Sequence, residues 1–265
     1  PDWVWLKSRT QTYSHYILDT SRQSDGSSMP SGDANMYNYL LTNATDAEAD
    51  NNADGIVQTS TGFIVDKDSQ ALGEGGESGT STVGQNMASY SWIANGGTVS
   101  NNNDGDYTSS VQANTSAGFS IVRYGDASSF TAQTPATVGH GLGKAPEWIM
   151  VKNRDATDDW ACYHVFNGNT HYMILNSNGG KVDNTYWNDT SPTSTVFSVG
   201  TDHKINASTE KYIAYCWTGI EGFSSFGGWD EATSNVKGPF IHTGFRPKCV
   251  MIKMTVTGDN WGWLD

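Results

Sequence analysis

Basic residues are scarce in this chain. It carries 15 lysines and arginines against 28 aspartates and glutamates, which gives a formal net charge of −13 over 265 residues. Cations spread so thinly cannot follow a run of phosphates, so we expect no binding to nucleic acid. Anionic membrane surfaces should repel the chain for the same reason.

Cysteine is nearly absent. Cys162, Cys216 and Cys249 lie 216 − 162 = 54 and 249 − 216 = 33 residues apart, so the close ligand pairs of zinc sites are missing. Each lies in an apolar or aromatic run, as is typical of a small buried side chain. We therefore expect no disulfide framework, no metal and no cofactor.

Long hydrophobic runs are lacking too. No apolar stretch approaches the ~20 residues that span a bilayer, and no signal-peptide pattern opens the chain, so membrane insertion is not expected. The chain begins without Met, directly on a repeat, and stops at Asp265 partway into another copy. We expect it to be a window of a longer polypeptide, so targeting signals could lie outside it.

Catalytic motifs are also missing. Residues 139–144, GHGLGK, resemble a phosphate loop but lack its upstream Gly and the Ser or Thr after Lys144, which favours a turn. A sandwich-type glycosidase needs two carboxylates across a cleft, and Glu74, Glu77 and Glu231 all fall in predicted loops. The sequence predicts a protein without enzymatic activity.

What the chain does have is a repeat. PDWVWLKSR at 1–9 returns as PEWIMVKNR at 146–154 and as PKCVMIK at 247–253, at intervals of 146 − 1 = 145 and 247 − 146 = 101. GFSIV at 118–122 is echoed by GFSSF at 222–226, and YSW at 90–92 by YCW at 215–217. We predict a first module at 1–117, a complete second at 118–220 and the start of a third at 221–265. Loops at 71–84 and 95–110, found in the first copy only, account for its greater length.

Short strands dominate the pattern. Runs of four to seven β-branched or aromatic residues, bounded by turn formers, are typical of antiparallel sheets. They occur at 3–7, 16–19, 39–42, 62–66, 88–94, 119–124, 148–152, 161–165, 172–176, 196–200, 212–217, 240–243 and 250–253. Residues 33–41 could be read as a helix, but their repeat partner at 172–176 favours a strand. The fold class predicted is all-β, with tandem antiparallel β-sandwich modules of jelly-roll or lectin-like type. The run at 148–151 is apolar at consecutive positions and should be buried on both faces or at a contact between modules.

Two tryptophans lie in polar segments and form the candidate binding site. Trp187 and Trp229, with Asp189 and Asp230, combine an exposed ring with carboxylates, which suits a sugar ring and its hydroxyls. The alternative is a loop Trp tucked over the edge of a sandwich.

Histidines recur at similar places in the copies. His140 and His242 precede the second and third proline runs, and His15 lies in the part of the first copy that matches His164. A metal site or pH sensor is one interpretation, and a structural hydrogen bond at a strand end is the favoured one. The turns at 50–55 and 103–106 resemble oxygen-rich calcium loops but lack the full ligand pattern.

The chain resembles a family of repeated domains found in fibre-like structural proteins of tailed phages, especially marine ones. The resemblance is carried by GFSIV at 118–122, TVGHGL at 137–142, APEWIMVKNR at 145–154, PTSTVFSVG at 192–200 and YIAYCW at 212–217. It implies a virion component such as a tail fibre or surface appendage, located on the particle surface, in which modules strung head to tail set length or display a host-binding surface. The implied partners are other virion proteins, further copies in a homotrimer and a host surface glycan. A secreted carbohydrate-binding module and a subunit of an extracellular filament are the alternatives.

Overall fold

The structure is a computed structural model that describes residues 1–10, 12–22, 38–49, 56–58, 61–65, 86–125, 134–229, 238–256 and 258–265. Its strands in chain order are β1 (Trp3–Ser8), β2 (Tyr16–Asp19), β3 (Leu40–Leu41), β4 (Ile56–Gln58), β5 (Phe63–Val65), β6 (Met87–Trp92), β7 (Ser100–Asn102), β8 (Ser109–Asn114), β9 (Phe119–Tyr124), β10 (Ala136–Gly139), β11 (Trp148–Asn153), β12 (Ala161–His164), β13 (His171–Ile174), β14 (Val182–Asp183), β15 (Val196–Val199), β16 (Tyr212–Trp217), β17 (Val250–Ile252) and β18 (Gly262–Leu264). Helical structure in these residues amounts to two short 3-10 turns, Asn95–Gly97 and Thr185–Trp187. No described helix is long and apolar enough to cross a membrane.

The strands form antiparallel sheets, which confirms the all-β prediction. One sheet has the order β3-β2-β1-β6, and a larger one has the order β14-β13-β12-β11-β16-β9-β8-β7. Three two-stranded sheets, β10-β15, β4-β5 and β17-β18, complete the described set. The jelly-roll description stays a prediction.

The sequence repeat is also a structural repeat. The order β3-β2-β1-β6 in the first sheet returns as β13-β12-β11-β16 in the second, with the same pairings. The registers match as well: Trp3 lies opposite Trp92, as Trp148 lies opposite Trp217. We call the first four strands unit 1, the second four unit 2, and the pair β17-β18, which matches β11-β12, unit 3.

The matching registers decide the ambiguous segment at 33–41. Leu41 lies opposite Tyr16 on β2, as Ile174 lies opposite Ala161 on β12. The strand prediction is therefore confirmed for Leu40–Leu41, while residues 33–37 lie outside the described residues.

The module boundary predicted after residue 117 lies between β8 and β9. It falls inside a hairpin, because β8 before it pairs with β9 after it, and β7 and β8 extend the sheet of unit 2. Residues 95–110 are thus not merely a surface loop: polar strands such as β7 form where an existing sheet edge satisfies their backbone groups. The loop expected at 71–84 and the acidic turn at 50–55 lie outside the described residues.

Both faces of the central strands are buried. On β11, Trp148 and Met150 face one core, while Ile149 and Val151 face another. The first core also contains Trp3 and other residues of unit 1, so the two unit sheets pack face to face. The second core lies under the β10-β15 strand pair. The prediction for consecutive apolar positions is confirmed.

Unit 3 departs from the predictions in two ways. Residues 240–243, predicted as a strand, are irregular; their counterpart β10 is held by β15, and no strand corresponding to β15 lies in the described part of 221–265. Cys249, the counterpart of the buried Trp148, is exposed, whereas Cys162 and Cys216 are buried as expected. The described cysteines are all free thiols.

The units meet through a contact that is repeated bond for bond. The Trp160 indole N–H donates to the Leu41 carbonyl at 2.8 Å, and its counterpart Trp261 donates to the Ile174 carbonyl at 3.0 Å. In parallel, Lys152 Nζ donates to the Thr45 carbonyl at 3.2 Å and Lys253 Nζ donates to the Asn178 carbonyl at 2.9 Å. The same two carbonyls accept from the backbone N–H groups of Asp158 and Asp259 at 2.9 and 2.8 Å. Unit 3 is therefore placed on unit 2 as unit 2 is placed on unit 1.

A further contact joins unit 1 to unit 3. The Tyr215 hydroxyl of unit 2 donates to Asp19 of unit 1 at 2.6 Å, and the equivalent Tyr90 of unit 1 donates to Asp265 of unit 3 at 3.3 Å. Since Asp265 is the counterpart of Asp19, unit 1 stands to unit 3 as unit 2 stands to unit 1. One rotation that returns to its starting point after three steps is an approximate threefold axis. The units surround a shared aromatic core, and they do not form the linear string that the repeats suggested.

Candidate functional site

Trp187 is not the exposed platform that the sequence predicted. Its side chain is 2% exposed, and its indole N–H donates to the His171 carbonyl at 3.1 Å. The ring packs edge-on against Tyr163 at a centroid distance of 5.7 Å. The polar segment hides Trp187 because a 3-10 turn, capped by the Asn184 side chain, directs it into the core below β10-β15. Trp187 is a structural residue.

Trp229 is exposed, at 44% of its surface, as predicted. The residue before it packs onto a ring that the sequence analysis did not select: a Cβ on Gly228 would lie 2.3 Å from Phe166 Cγ. Phe166 is itself 40% exposed. The structure therefore brings two solvent-exposed aromatic residues to one place. Asp230 lies outside the described residues.

Asp189 reaches the same region through the loop between β12 and β13. Asn169 in this loop donates from its amide nitrogen to the Asp189 carbonyl at 2.7 Å. Asp189 is exposed and, with Asn188, adopts a left-handed backbone conformation at φ 47° and 51°. We name the set Phe166, Asn169, Asp189 and Trp229 the hairpin surface.

His164 fixes the start of that loop. Its Nδ1 accepts a hydrogen bond from the Phe166 backbone N–H at 3.2 Å, which requires an unprotonated Nδ1. Burial lowers the pKa of His164 to about 4, so the imidazole is neutral near pH 7. The imidazole can therefore accept this bond throughout the physiological pH range.

The hairpin surface suits a polyhydroxylated ligand. Aromatic faces accept the C–H face of a sugar ring, and the amide of Asn169 and the carboxylate of Asp189 can bond to hydroxyl groups. In the described part of the chain, no group of three or more His, Cys, Asp and Glu side chains is arranged to hold a metal ion. A signal for Phe166 existed in the sequence, since an apolar pair directly before Asn167-Gly168 predicts exposure at a hairpin tip.

The densest set of charges lies at the contact between units 1 and 2. Arg22, fully buried, pairs with Asp19 at 2.5 Å and with Glu48 at 3.5 Å, and Glu48 also binds Arg154 at 2.5 Å. Although burial opposes it, the two guanidinium groups lower the pKa of Glu48 to about 2. The opposite charges compensate one another, so this ionic cluster holds units 1 and 2 in position.

The histidines lie in different environments. His140 is buried, with Nδ1 accepting from the Leu142 N–H and Nε2 donating to the Thr193 carbonyl, both at 3.2 Å. That is the structural hydrogen bonding favoured for a strand end, and residues 140–144 form the predicted turn. His242 is exposed. His15 occupies the position of Trp160 in the register, and Asp19 occupies that of His164, so the expected match of His15 with His164 is wrong by four residues.

Comparison with protein families decides the relationship of the chain. The family described as "Domain of unknown function (DUF7483)" matches residues 1–265, the whole length given. This chain belongs to that family. No curated protein and no solved structure matches it.

Proposed function

We propose that the protein is a structural, non-catalytic component of a virion, part of a tail fibre or another surface appendage of a tailed phage. The observation that carries the proposal is the use of its buried polar groups: Lys152, Glu48 and Arg154 all bind across the contact between units. A molecule whose charges hold repeated sheets together around an aromatic core is suited to withstand load outside a cell. The sequence resemblance to phage fibre proteins supports the same role.

The proposed partners are other virion proteins and a host surface glycan, with no role for nucleic acid or membrane insertion. The hairpin surface is the proposed glycan site, because it combines exposed rings with hydrogen-bonding side chains on a rigid loop. A homotrimer remains part of the proposal on the resemblance alone, since the strands that are apolar on both faces are covered within one chain.

Localisation on the particle tests the structural role. Antibodies raised against the recombinant chain should label the fibres or baseplate of the phage that encodes it, as seen by immunogold electron microscopy. Label confined to lysate debris or to secreted bacterial material would contradict the virion role and favour a secreted lectin. Release of reducing ends from host polysaccharide by the pure protein would contradict the non-catalytic role.

Glycan binding is tested separately at the hairpin surface. Trp229→Ala and Phe166→Ala should each weaken binding on a glycan array or to intact host cells by roughly tenfold, because each removes one aromatic face. Ile93→Ala is the matched control, since Ile93 is 58% exposed on unit 1. Equal binding by all variants would place any glycan site elsewhere.

A further inference from the structure

The hairpin surface is built from segments that carry acidic residues and no basic ones. Its members come from residues 165–170, 182–195 and 218–229. These segments contain no lysine or arginine, whereas Asp183, Asp189 and Glu221 lie in them at exposed positions. The net charge of the whole chain, −13, has the same sign. A ligand that approaches this surface therefore meets a negative field.

Two of these carboxylates lie beside the loop between β12 and β13. Asp183 on β14 is paired in register with His171 on β13, two residues after Asn169. Asp189 is held against the same loop, because the Asn169 side chain donates to its backbone carbonyl at 2.7 Å. An ionised carboxylate can only accept hydrogen bonds, so Asp189 requires a ligand group that donates one. Sugar hydroxyl groups donate, whereas carboxylate and sulphate groups do not.

The aromatic members of the surface also disfavour an anion. Phe166 and Trp229 are exposed, and the quadrupole of an aromatic ring is negative at its face. Such a face attracts the C–H groups of a sugar ring and repels a carboxylate or a sulphate. Burial lowers the pKa of His164, at the base of the loop, to about 4, so its imidazole supplies no positive charge near pH 7.

We infer that the hairpin surface binds neutral glycans and rejects acidic ones, and that Asp189 sets this selectivity. The inference rests on the proposed glycan-binding function and names its ligand class: sugar chains without carboxylate, sulphate or phosphate groups. Hydroxyl groups of such a chain donate to Asp189 while its C–H faces cover the rings of Phe166 and Trp229. An acidic substituent bound there lies within the screening length of about 8 Å from a like charge, so the two repel.

A glycan array with matched members tests the inference. Each neutral oligosaccharide is paired with the same chain carrying a sialic acid, a uronic acid or a sulphate ester. The unaltered protein should bind the neutral members at least roughly tenfold more tightly than their acidic partners. In about 1 M salt, where the screening length is about 3 Å, that ratio should fall because binding of the acidic members rises.

Two substitutions at Asp189 assign the selectivity to this residue. Asp189→Asn removes the charge and keeps a side chain that tolerates the left-handed backbone at φ 47°, so it should reduce the ratio severalfold without loss of folding. Asp189→Lys reverses the charge and should bring the ratio to about one or below. Its rise in affinity for the acidic members distinguishes it from a variant that has merely lost its structure.

Asp104→Lys is the matched control. It makes the same change in net charge at an exposed position between β7 and β8, whereas the hairpin surface lies towards the other end of the eight-stranded sheet. Strands lie about 4.8 Å apart, so this position is beyond the screening length, and the ratio should stay unchanged.

The outcomes separate this inference from the function on which it rests. Equal affinity of the unaltered protein for neutral and acidic members would overturn the selectivity and leave glycan binding intact. So would the same ratio in Asp189→Lys and Asp104→Lys. Absence of binding to every member of the array would contradict the proposed glycan-binding function itself, and the inference with it.

Discussion

Two contacts in this molecule share their backbone bonds and differ in their charges. At the contact between units 1 and 2, the buried ions Asp19, Arg22, Glu48 and Arg154 surround the repeated hydrogen bonds. At the contact between units 2 and 3, the same positions hold His164, Asn167, Lys181 and Thr255, and the backbone bonds remain. The Lys181 N–H donates to the Thr255 carbonyl at 2.8 Å, as the Glu48 N–H donates to that of Arg154 at 2.9 Å.

This difference indicates that backbone bonds set how the units are placed, while side-chain charges set which units can be neighbours. Backbone groups are the same in every copy, so they can fix how one unit lies on the next whatever the local sequence. Charges differ between copies, and a mismatched buried charge costs several kcal/mol, so they can decide which unit accepts which neighbour.

The largest difference between the contacts should appear at the tryptophans. Trp160 is fully buried and stacks on Tyr215 at 6.2 Å, whereas Trp261 is half-buried. Trp160→Ala should lower the free energy of unfolding by ~3–5 kcal/mol, and Trp261→Ala by clearly less. Urea unfolding measures both free energies, provided that the m value is unchanged. Equal losses of stability in the two variants would show that the two contacts are equally buried.

The charges should matter at one contact only. Glu48→Gln leaves Arg22 and Arg154 without their shared carboxylate and should cost ~3 kcal/mol of stability. Lys181→Met, at the counterpart position, should change stability by less than about 0.5 kcal/mol because only the Lys181 backbone makes the contact. A comparable loss in both variants would show that side-chain charges matter equally at the two contacts.

As the pH falls, the stabilisation by His140 should be lost before the stabilisation by Glu48. Burial lowers the pKa of His140 to about 4, so its stabilisation is complete above pH 6.5 and is lost as the pH falls towards 4, by up to ~3 kcal/mol. Glu48, with its pKa lowered to about 2, loses its contribution only from about pH 4.5 downward.

The free energy of unfolding, plotted against pH, should therefore fall in two limbs: an upper limb from the histidines and a lower limb from Glu48. His140→Asn should reduce the upper limb without abolishing it, because His15 and His164, whose pKa values are also lowered to about 4, act there too. Glu48→Gln should flatten the lower limb. A single limb unaffected by either substitution would contradict the assignment.

The smallest effect concerns thiol access. Burial raises the pKa of Cys162 and of Cys216, and both side chains are fully covered, whereas Cys249 of unit 3 is exposed. A thiol reagent should label one cysteine quickly in the native protein and the other two only on unfolding. Cys249→Ser should abolish the fast phase. Fast labelling of two or three thiols would show that unit 2 is open.

Strand placement was largely predictable from sequence. Segments such as 16–19 and 119–124 were found because β-branched and aromatic residues are bounded there by turn formers. β7 was missed because Ser100-Asn101-Asn102 has no apolar residue, and it is a strand only because β8 pairs with it. The prediction for residues 240–243 made the opposite error. A strand was predicted there, but an apolar run does not form a strand without a partner strand.

The candidate site was only partly predictable. Trp187 and Trp229 lie in equally polar segments, yet one is buried and the other is exposed. The distinction depends on whether a neighbouring turn aims the side chain at a core, which local sequence does not encode. Phe166 could have been found from its position before a turn, but its proximity to Trp229 depends on how Gly228 packs.

By itself, the sequence determined that the chain is β-rich, that it contains copies of one unit and which residues correspond. These follow from side-chain periodicity and from identity between copies, both of which are local. Only the tertiary structure decided that the units surround a shared core, that the ions lie at one contact and that Trp187 is hidden. The reason is physical: each depends on which surfaces meet, and repeats of equal sequence can be arranged in a line or a ring until side chains such as Tyr90 and Asp265 are seen in contact.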